Sequence, residues 1–321
     1  QIFVHFITIY DTIYYIHKTK RGEDLLEHLS SFSRGLFSCP IVSLDAYAAR
    51  HNISGKLSAY LNFGGVTGSS TDALAYGMLS LAKEKGLLAE GQAVAEASGG
   101  SFGISLAAAC SELAHPLYLV VPADIDIQKR LTLEGFGAKL ITELPQRSRM
   151  CATAAELAKN VNAYYINYFE NDLNPEFHRR ITGAAIKEQM GEELDAVVIG
   201  VGSGGTITGV GEHLKAWLPD VKIIAVEPYE SMAISGGIIG AHAISGIGAG
   251  FVPENYNPYI VDKVIAVTSV AAGDTAKELL HKDGMPAGAA SGAVLCAAEE
   301  LMLGTPCLKN VLCIFASRTM L

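Results

Sequence analysis

The stretch Gly200-Val201-Gly202-Ser203-Gly204-Gly205-Thr206-Ile207-Thr208-Gly209 holds five glycines in ten residues, with hydroxyl side chains at Ser203 and Thr206. The apolar, β-branched run Asp195-Ala196-Val197-Val198-Ile199 precedes it and Val210-Gly211-Glu212-His213-Leu214-Lys215 follows. The stretch therefore reads as the turn between a buried strand and a helix. Such a turn aims unhindered backbone N–H groups and the positive end of a helix dipole at one place. That is the chemistry of an anion cradle, most often for phosphate. The spacing matches neither the dinucleotide fingerprint nor the nucleotide P-loop, because no Lys-Ser/Thr pair follows the glycines. A plain strand-to-helix turn would explain a lone glycine cluster, but this density of glycine without proline favours a ligand.

Two more loops have the same character. Asn62-Phe63-Gly64-Gly65-Val66-Thr67-Gly68-Ser69-Ser70-Thr71 follows a strand expected over 55–61, and Ala97-Ser98-Gly99-Gly100-Ser101-Phe102-Gly103 follows one over 93–96. A helix is expected after each: over 72–86, with Leu74, Met78, Leu79 and Leu81 near one face and Gly86 as its stop, and over 104–113. Strands over 117–121 and 138–141 flank a helix over 127–136. The second half adds a helix over 149–162, an aromatic strand over 164–169, a helix over 175–190 and strands over 221–227, 260–267 and 311–315. Further helices are expected over 271–281 and after Gly288-Ala289-Ala290-Ser291-Gly292-Ala293. Repeated strand, loop and helix means parallel strands with helical crossovers on both faces. Ligands of such sheets bind at the carboxyl ends of the strands, where all three loops lie.

With 321 residues and 50% hydrophobic content, the chain can bury a large core in two lobes, divided by ordered chain near 145–155. A net charge of -9 argues against nucleic acid or an anionic membrane as the main partner. The six cysteines show no CxxC spacing and read as reduced thiols of a cytoplasmic protein. Residues 1–17 are aromatic and apolar but interrupted by His5, Asp11 and His17, with no basic n-region; they read as an arm packed on the body or on a second subunit. Residues 20–33 are polar and helix-compatible. No histidine pair at ligand spacing lies beside a carboxylate triad, so no metal site is expected, and His178 and His242 read as structural. Glu96 and Glu227, at strand ends, read as cap or interlobe partners.

Gly202 to Gly209, Asn174-Pro175-Glu176-Phe177-His178-Arg179-Arg180-Ile181-Thr182-Gly183 and Gly246-Ile247-Gly248-Ala249-Gly250-Phe251-Val252-Pro253 carry a family resemblance. On them the chain resembles the cysteine synthases (O-acetylserine sulfhydrylases) of the fold-type II pyridoxal-phosphate enzymes, from about residue 36 to 315. The resemblance implies a tryptophan synthase β-like α/β fold: two three-layer (αβα) lobes with twisted, mostly parallel sheets and the cofactor between them. It gives residues 46–150 to a smaller, mobile lobe and residues 1–45 with 151–321 to a larger one. It also implies a homodimer and a phosphate cup at Gly202, Ser203, Gly204, Gly205 and Thr206. In this family the cleft can receive the C-terminal tail of serine acetyltransferase.

The resemblance fails at the residues that do the chemistry. Relatives carry Pro-Gly-Gly-Ser-Val-Lys-Asp-Arg in the loop that is here 63–73, and that lysine forms the Schiff base with the cofactor. Aligned on Asp72, Thr71 stands at the lysine position. A threonine hydroxyl can neither form an imine nor serve as the amine base. Lys56 and Lys83, the nearest in sequence, are expected to be structural and to point away. The usual Thr-Ser-Gly-Asn-Thr-Gly reads Ser98-Gly99-Gly100-Ser101-Phe102-Gly103, so an aromatic ring replaces a small hydroxyl. Ala290 aligns with the serine that faces the pyridine nitrogen, Asn167-Tyr168 with a glutamine pair, and Ala316-Ser317-Arg318 with Pro-Asp-Ser-Gly-Glu-Arg. The resemblance thus maps cofactor binding to the cup with Ser101 and Ala290, and substrate binding to Ser98, Gly99, Gly100, Phe102 and Asn167, with no catalytic residue. The first reading is a catalytically impaired scaffold whose cup takes non-covalent pyridoxal phosphate, another phosphate or sulfate, and which grips a small amino-acid-like ligand or a partner's C-terminal peptide. The alternative is an active transferase on O-acetylserine with non-covalently held cofactor. A third is an unrelated activity using Asp72, Ser70, Ser98 or Ser101.

Overall fold

A computed structural model describes residues 35–37 and 39–318. The readings for 1–17 and 20–33 fall outside those residues. Ten strands form: β1 (Ile41–Ser43), β2 (Lys56–Leu61), β3 (Val94–Ala97), β4 (Leu117–Pro122), β5 (Lys139–Glu143), β6 (Tyr164–Tyr165), β7 (Ala196–Gly200), β8 (Lys222–Pro228), β9 (Lys263–Val267) and β10 (Asn310–Phe315). They make a six-stranded sheet in the order β1-β2-β10-β7-β8-β9 and a four-stranded sheet in the order β5-β4-β3-β6. All neighbours run parallel except β1 and β2.

Side-chain alternation explains why nearly every residue of the central strands is apolar. Ala196 and Val198 of β7 pack into one core, with Leu57, Val311 and Ala293. Val197 and Ile199 pack into another, with Ile207, Val210 and Leu214. Successive side chains leave opposite faces, and here helices cover both. One face carries α1 (Asp45–Arg50), α9 (Ser269–Asp283) and α10 (Ala289–Gly304); the other carries α7 (Ala184–Met190) and α8 (Gly205–Trp217). The smaller sheet is likewise enclosed, by α2 (Thr71–Glu84), α3 (Ser101–Glu112) and α4 (Ile127–Gly135) on one side and α5 (Arg147–Asn160) on the other. Both lobes are therefore three-layer αβα, as expected.

Three expectations need correcting. The lobe boundaries are not 46 and 150: β2 belongs to the larger sheet, paired with β10, and β6 to the smaller, paired with β3. The aromatic strand over 164–169 stops after Tyr165, because Asn167 turns the chain at φ +52 and Tyr168 leaves the sheet. The helix expected over 175–190 is α6 (Leu173–Phe177) and α7 joined by a π-helical segment, His178–Gly183. A π segment shifts the side chains that follow it, and such segments gather at functional sites.

Helices α9 and α10 meet closely at Gly292 of α10, where a Cβ would collide with the Ala272 carbonyl of α9 and lie 3.0 Å from the Ala276 nitrogen. Backbone cannot yield as a side chain can. Gly292→Val is expected to cost about 1–3 kcal/mol of stability in urea titration, despite valine's better helix propensity.

Candidate functional site

The cup forms where β7 meets α8. Gly204 sits at φ +82 with its Cα against the Tyr256 backbone, so any side chain there would be strained and would clash. A Cβ at Gly202 would collide with the Gly246 carbonyl. No side chain caps α8, so its first-turn amides, which have no intrahelical acceptor, face the cup with the dipole behind them. Ser203 is buried and its hydroxyl accepts from Asn174 Nδ2 at 3.0 Å. Asn174 is fully buried, with an unpartnered Oδ1. Thr206 Oγ1 lies 3.1 Å from His178 Nε2, and His178 Nδ1 lies 2.9 Å from Thr182 Oγ1. Burial pushes His178 down to about 3, so a neutral imidazole backs the cup. The π segment aims that ring, and sequence reasoning missed the role. Its only signal was a histidine four residues before a threonine.

Thr71 opens α2. Its Oγ1 lies 2.9 Å from Ser105 Oγ on α3 and 3.2 Å from Ser69 Oγ. Ser105 donates to Asp72 Oδ1 at 2.8 Å, and Asp72 also accepts from the Thr67 amide and hydroxyl. Burial raises the Asp72 carboxyl, with the Ser105 and Thr67 hydrogen bonds opposing it. Among the described residues no lysine is buried. Lys56 pairs with Glu193 at the surface and Lys83 with Glu90, both as structural as expected. The other half-buried lysines are Lys187, over the Trp217 ring at 3.9 Å, and Lys215, paired with Asp262 at 2.8 Å.

The second loop behaves differently from the sequence reading. Ser98 Oγ accepts from the Gly103 amide at 3.0 Å, Gly99 packs against Pro122, and Gly100 and Ser101 are exposed at the start of α3. Phe102 is 4% exposed and stacks on Tyr168, with ring centroids 4.0 Å apart and planes 20° apart. Asn167 does not join the site: its Nδ2 donates to Glu170 at 3.0 Å. Its neighbour Tyr168 takes that place. Burial raises the Tyr168 phenol, and a hydrogen bond from Ser203 of the cup opposes the rise. Ala290 is buried at the start of α10, and the adjacent Ser291 donates instead to the Ser317 carbonyl at 2.8 Å. Glu227 holds the long loop after β8, accepting from the Ile234 amide at 2.8 Å and the Ser235 amide at 3.1 Å. No three His, Cys, Asp or Glu side chains converge as a metal site among the described residues.

Glu96, in β3, is buried and caps no helix; its partners belong to the smaller lobe and to the chain that leaves it after β6. It accepts from its neighbour Ala97 N at 2.7 Å and from Tyr168 N at 3.1 Å. Burial lifts its carboxyl to about 7, with the Ala97 and Tyr168 amides and the Arg147 charge opposing. A carboxyl raised on folding stabilises fully below its unfolded value, near 4.5, and that stability is lost as pH rises through 7. Glu96→Gln should therefore gain on the parent by roughly 3 kcal/mol between those limits, read from urea titrations at pH 4.5 and 8.

A two-lobed αβα protein with an uncapped helix N-terminus in a glycine cup at a strand end defines a phosphate-binding α/β class. Residues 33–317 match the family described as pyridoxal-phosphate dependent enzyme. A cysteine synthase of Staphylococcus aureus is 34% identical over 236 residues, covering 73% of this chain and 76% of that protein. O-acetylserine sulfhydrylase isoform 3 of Entamoeba histolytica superposes with a TM-score of 0.84 at 29% identity, over 91% of this chain and 89% of that one. A lysine-to-alanine variant of O-ureido-L-serine synthase, solved with O-ureido-L-serine bound, gives 0.81 at 28% identity over 90% of each chain. The chain belongs to the fold-type II pyridoxal-phosphate dependent enzymes, within the cysteine synthase family.

Family membership implies pyridoxal phosphate as the cofactor. The residues present fit half of it. Gly202 to Thr206 suit its phosphate. Beside the cup stand Thr71, turned to Ser105, and the Phe102–Tyr168 stack, tied to Ser203 through Asn174, and these do not fit the ring. The cavity lined by Val201, Gly202, Glu227 and Phe251 measures about 10 Å³, room for one water. A larger one, about 350 Å³, opens on the outer side of α8 between Arg179, Glu212 and Tyr259.

Proposed function

We propose that this protein is a catalytically impaired cysteine synthase-like scaffold that has kept its phosphate cup for a binding or regulatory role. The observation that carries the reading is Thr71 at the Schiff-base position, hydrogen-bonded to Ser105 and Ser69, with every half-buried described lysine paired elsewhere. The exposed start of α3 at Gly100 and Ser101 supports capture of a carboxylate, either of an amino-acid-like ligand or of a partner's C-terminal peptide such as that of serine acetyltransferase. The scaffold would act as a homodimer in the cytoplasm, with phosphate, sulfate or non-covalent cofactor as the candidates for the cup. That a lysine-to-alanine relative of the same fold was solved with O-ureido-L-serine bound supports binding without the lysine.

A second reading is an active transferase on O-acetylserine that holds pyridoxal phosphate non-covalently. It draws on the 34% identity to a cysteine synthase and on the intact cup. Cysteine formation from O-acetylserine and sulfide, with and without added pyridoxal phosphate, separates the two. The first reading expects the solution background in both; turnover that rises with added cofactor would favour the second.

A further inference from the structure

Four aromatic rings run in an unbroken file from α3 to the glycine-rich segment beside the cup. Phe102, on α3 of the smaller lobe, stacks on Tyr168 at 4.0 Å; Tyr168 meets Phe169 edge-on at 4.9 Å; Phe169 meets Phe251 at 5.3 Å. Phe251 belongs to the glycine-rich segment that packs on Val201 and Gly202 of the larger lobe. The Arg147 guanidinium caps the outer end, 4.5 Å from the Phe169 ring centre and 4.0 Å from that of Phe251. The backbone of Tyr168 is held from both lobes. Its amide donates to Glu96, and its carbonyl accepts from Asn174 Nδ2 at 3.0 Å and Asn255 Nδ2 at 2.9 Å.

Stacked and edge-on rings attract at these separations, and each anchor fixes the file further. Pyridoxal phosphate held by its phosphate in the cup would need room for its ring next to Gly202 to Thr206. Asn174 Nδ2 donates both to the Tyr168 carbonyl and to the Ser203 hydroxyl, at 3.0 Å each, so Tyr168 already stands beside the cup, with Phe102 stacked on its ring. We propose that Phe102, Tyr168, Phe169 and Phe251 form an aromatic bolt that fills the place of the cofactor ring, so that Phe102 and Tyr168 make this scaffold exclude pyridoxal phosphate and keep its lobes closed without it. The proposal rests on the reading of the protein as a catalytically impaired scaffold and sharpens it: the cup remains, but not for the family's cofactor.

The test is equilibrium dialysis of the full chain against pyridoxal phosphate, with the thermal midpoint followed in parallel, for the parent, Tyr168→Gln, Tyr168→Phe and Phe102→Ser with Tyr168→Gln. The parent and Tyr168→Phe are expected to retain no cofactor and to show no thermal shift. The double variant is expected to bind at least about tenfold more tightly than the parent and to be stabilised by the cofactor, by mass action. If the double variant does not fold, Tyr168→Gln alone decides: binding no tighter than the parent's overturns the bolt. Parent protein that binds cofactor as tightly as the opened variants, and releases it on dialysis, overturns the bolt while leaving the impaired-scaffold reading intact. Cofactor that borohydride fixes to the parent chain overturns the underlying reading as well.

Discussion

With O-acetylserine, sulfide and added pyridoxal phosphate, this chain is expected to form cysteine at the solution background, at least about 10²–10⁴-fold more slowly than the Staphylococcus aureus relative. That is the usual worth of a positioned acid-base group. The β-replacement these enzymes perform needs a base at the substrate's α-carbon. In the family, a lysine amine serves. Here Thr71 occupies its place with a hydroxyl tied to Ser105 and Ser69, and a hydroxyl of ordinary basicity does not take a carbon-bound proton. Asp72 is the nearest carboxylate in sequence, but Thr67 and Ser105 hold its oxygens, so it does not substitute. The same contacts leave no free base for an unrelated activity centred on Asp72. Steady-state kcat/KM of both proteins under one set of conditions checks the expectation, and a ratio within tenfold would contradict it.

The second large effect is acid lability. Burial alone drives His178 down to about 3, and burial together with the Lys187 and Arg179 charges drives His213 to about 4, against 6.5 unperturbed. A base depressed on folding contributes stability that is present above its unfolded value and lost as pH falls through its folded one. From pH 6.5 downward the two histidines together should remove roughly 5 and 3 kcal/mol, which approaches the whole stability of an ordinary domain. Glu96 works the other way across part of that range and offsets roughly 3 kcal/mol of the loss. The net loss is then about 3 kcal/mol at pH 4 and about 5 kcal/mol at pH 3, so the expectation is unfolding on acidification below about pH 4. In His213→Gln the titrating group is gone, so the acid midpoint, read by circular dichroism, should move to lower pH. An unmoved midpoint would mean that His213 is already protonated in the native state.

Much of this was legible from residue order. The unbroken apolar run Ala196 to Ile199, the glycines and the helix-compatible residues after them placed β7, the cup and α8, because both faces of a parallel sheet demand apolar residues and glycine tolerates the turn. Thr71 was legible because its neighbours Gly64, Gly65 and Asp72 preserve the frame in which a lysine is missed. What stayed hidden depends on contacts between distant segments. Tyr164 to Phe169 looks like a strand by composition, yet Asn167 turns the backbone and swings Tyr168 onto Phe102. Asn167 was mapped to substrate binding because it aligns with a glutamine of the resembling family, and the turn that removes it was not visible. The lift of Glu96 and the fall of His178 come from burial, which no local spacing reveals. The lobe boundary slipped because β2 is followed at once by the small-lobe helix α2 while its hydrogen bonds go to β10, near the other end of the chain.

The loss of the Schiff-base amine is tested most directly by incubating the protein with pyridoxal phosphate, reducing with borohydride, dialysing exhaustively and mapping the peptides by mass. No cofactor attached to the chain, while the Staphylococcus aureus relative treated in parallel gains one pyridoxyl-lysine per protomer, is the predicted result. A stoichiometric pyridoxyl-lysine on this chain would contradict it and return the protein to the ordinary enzymes of its family.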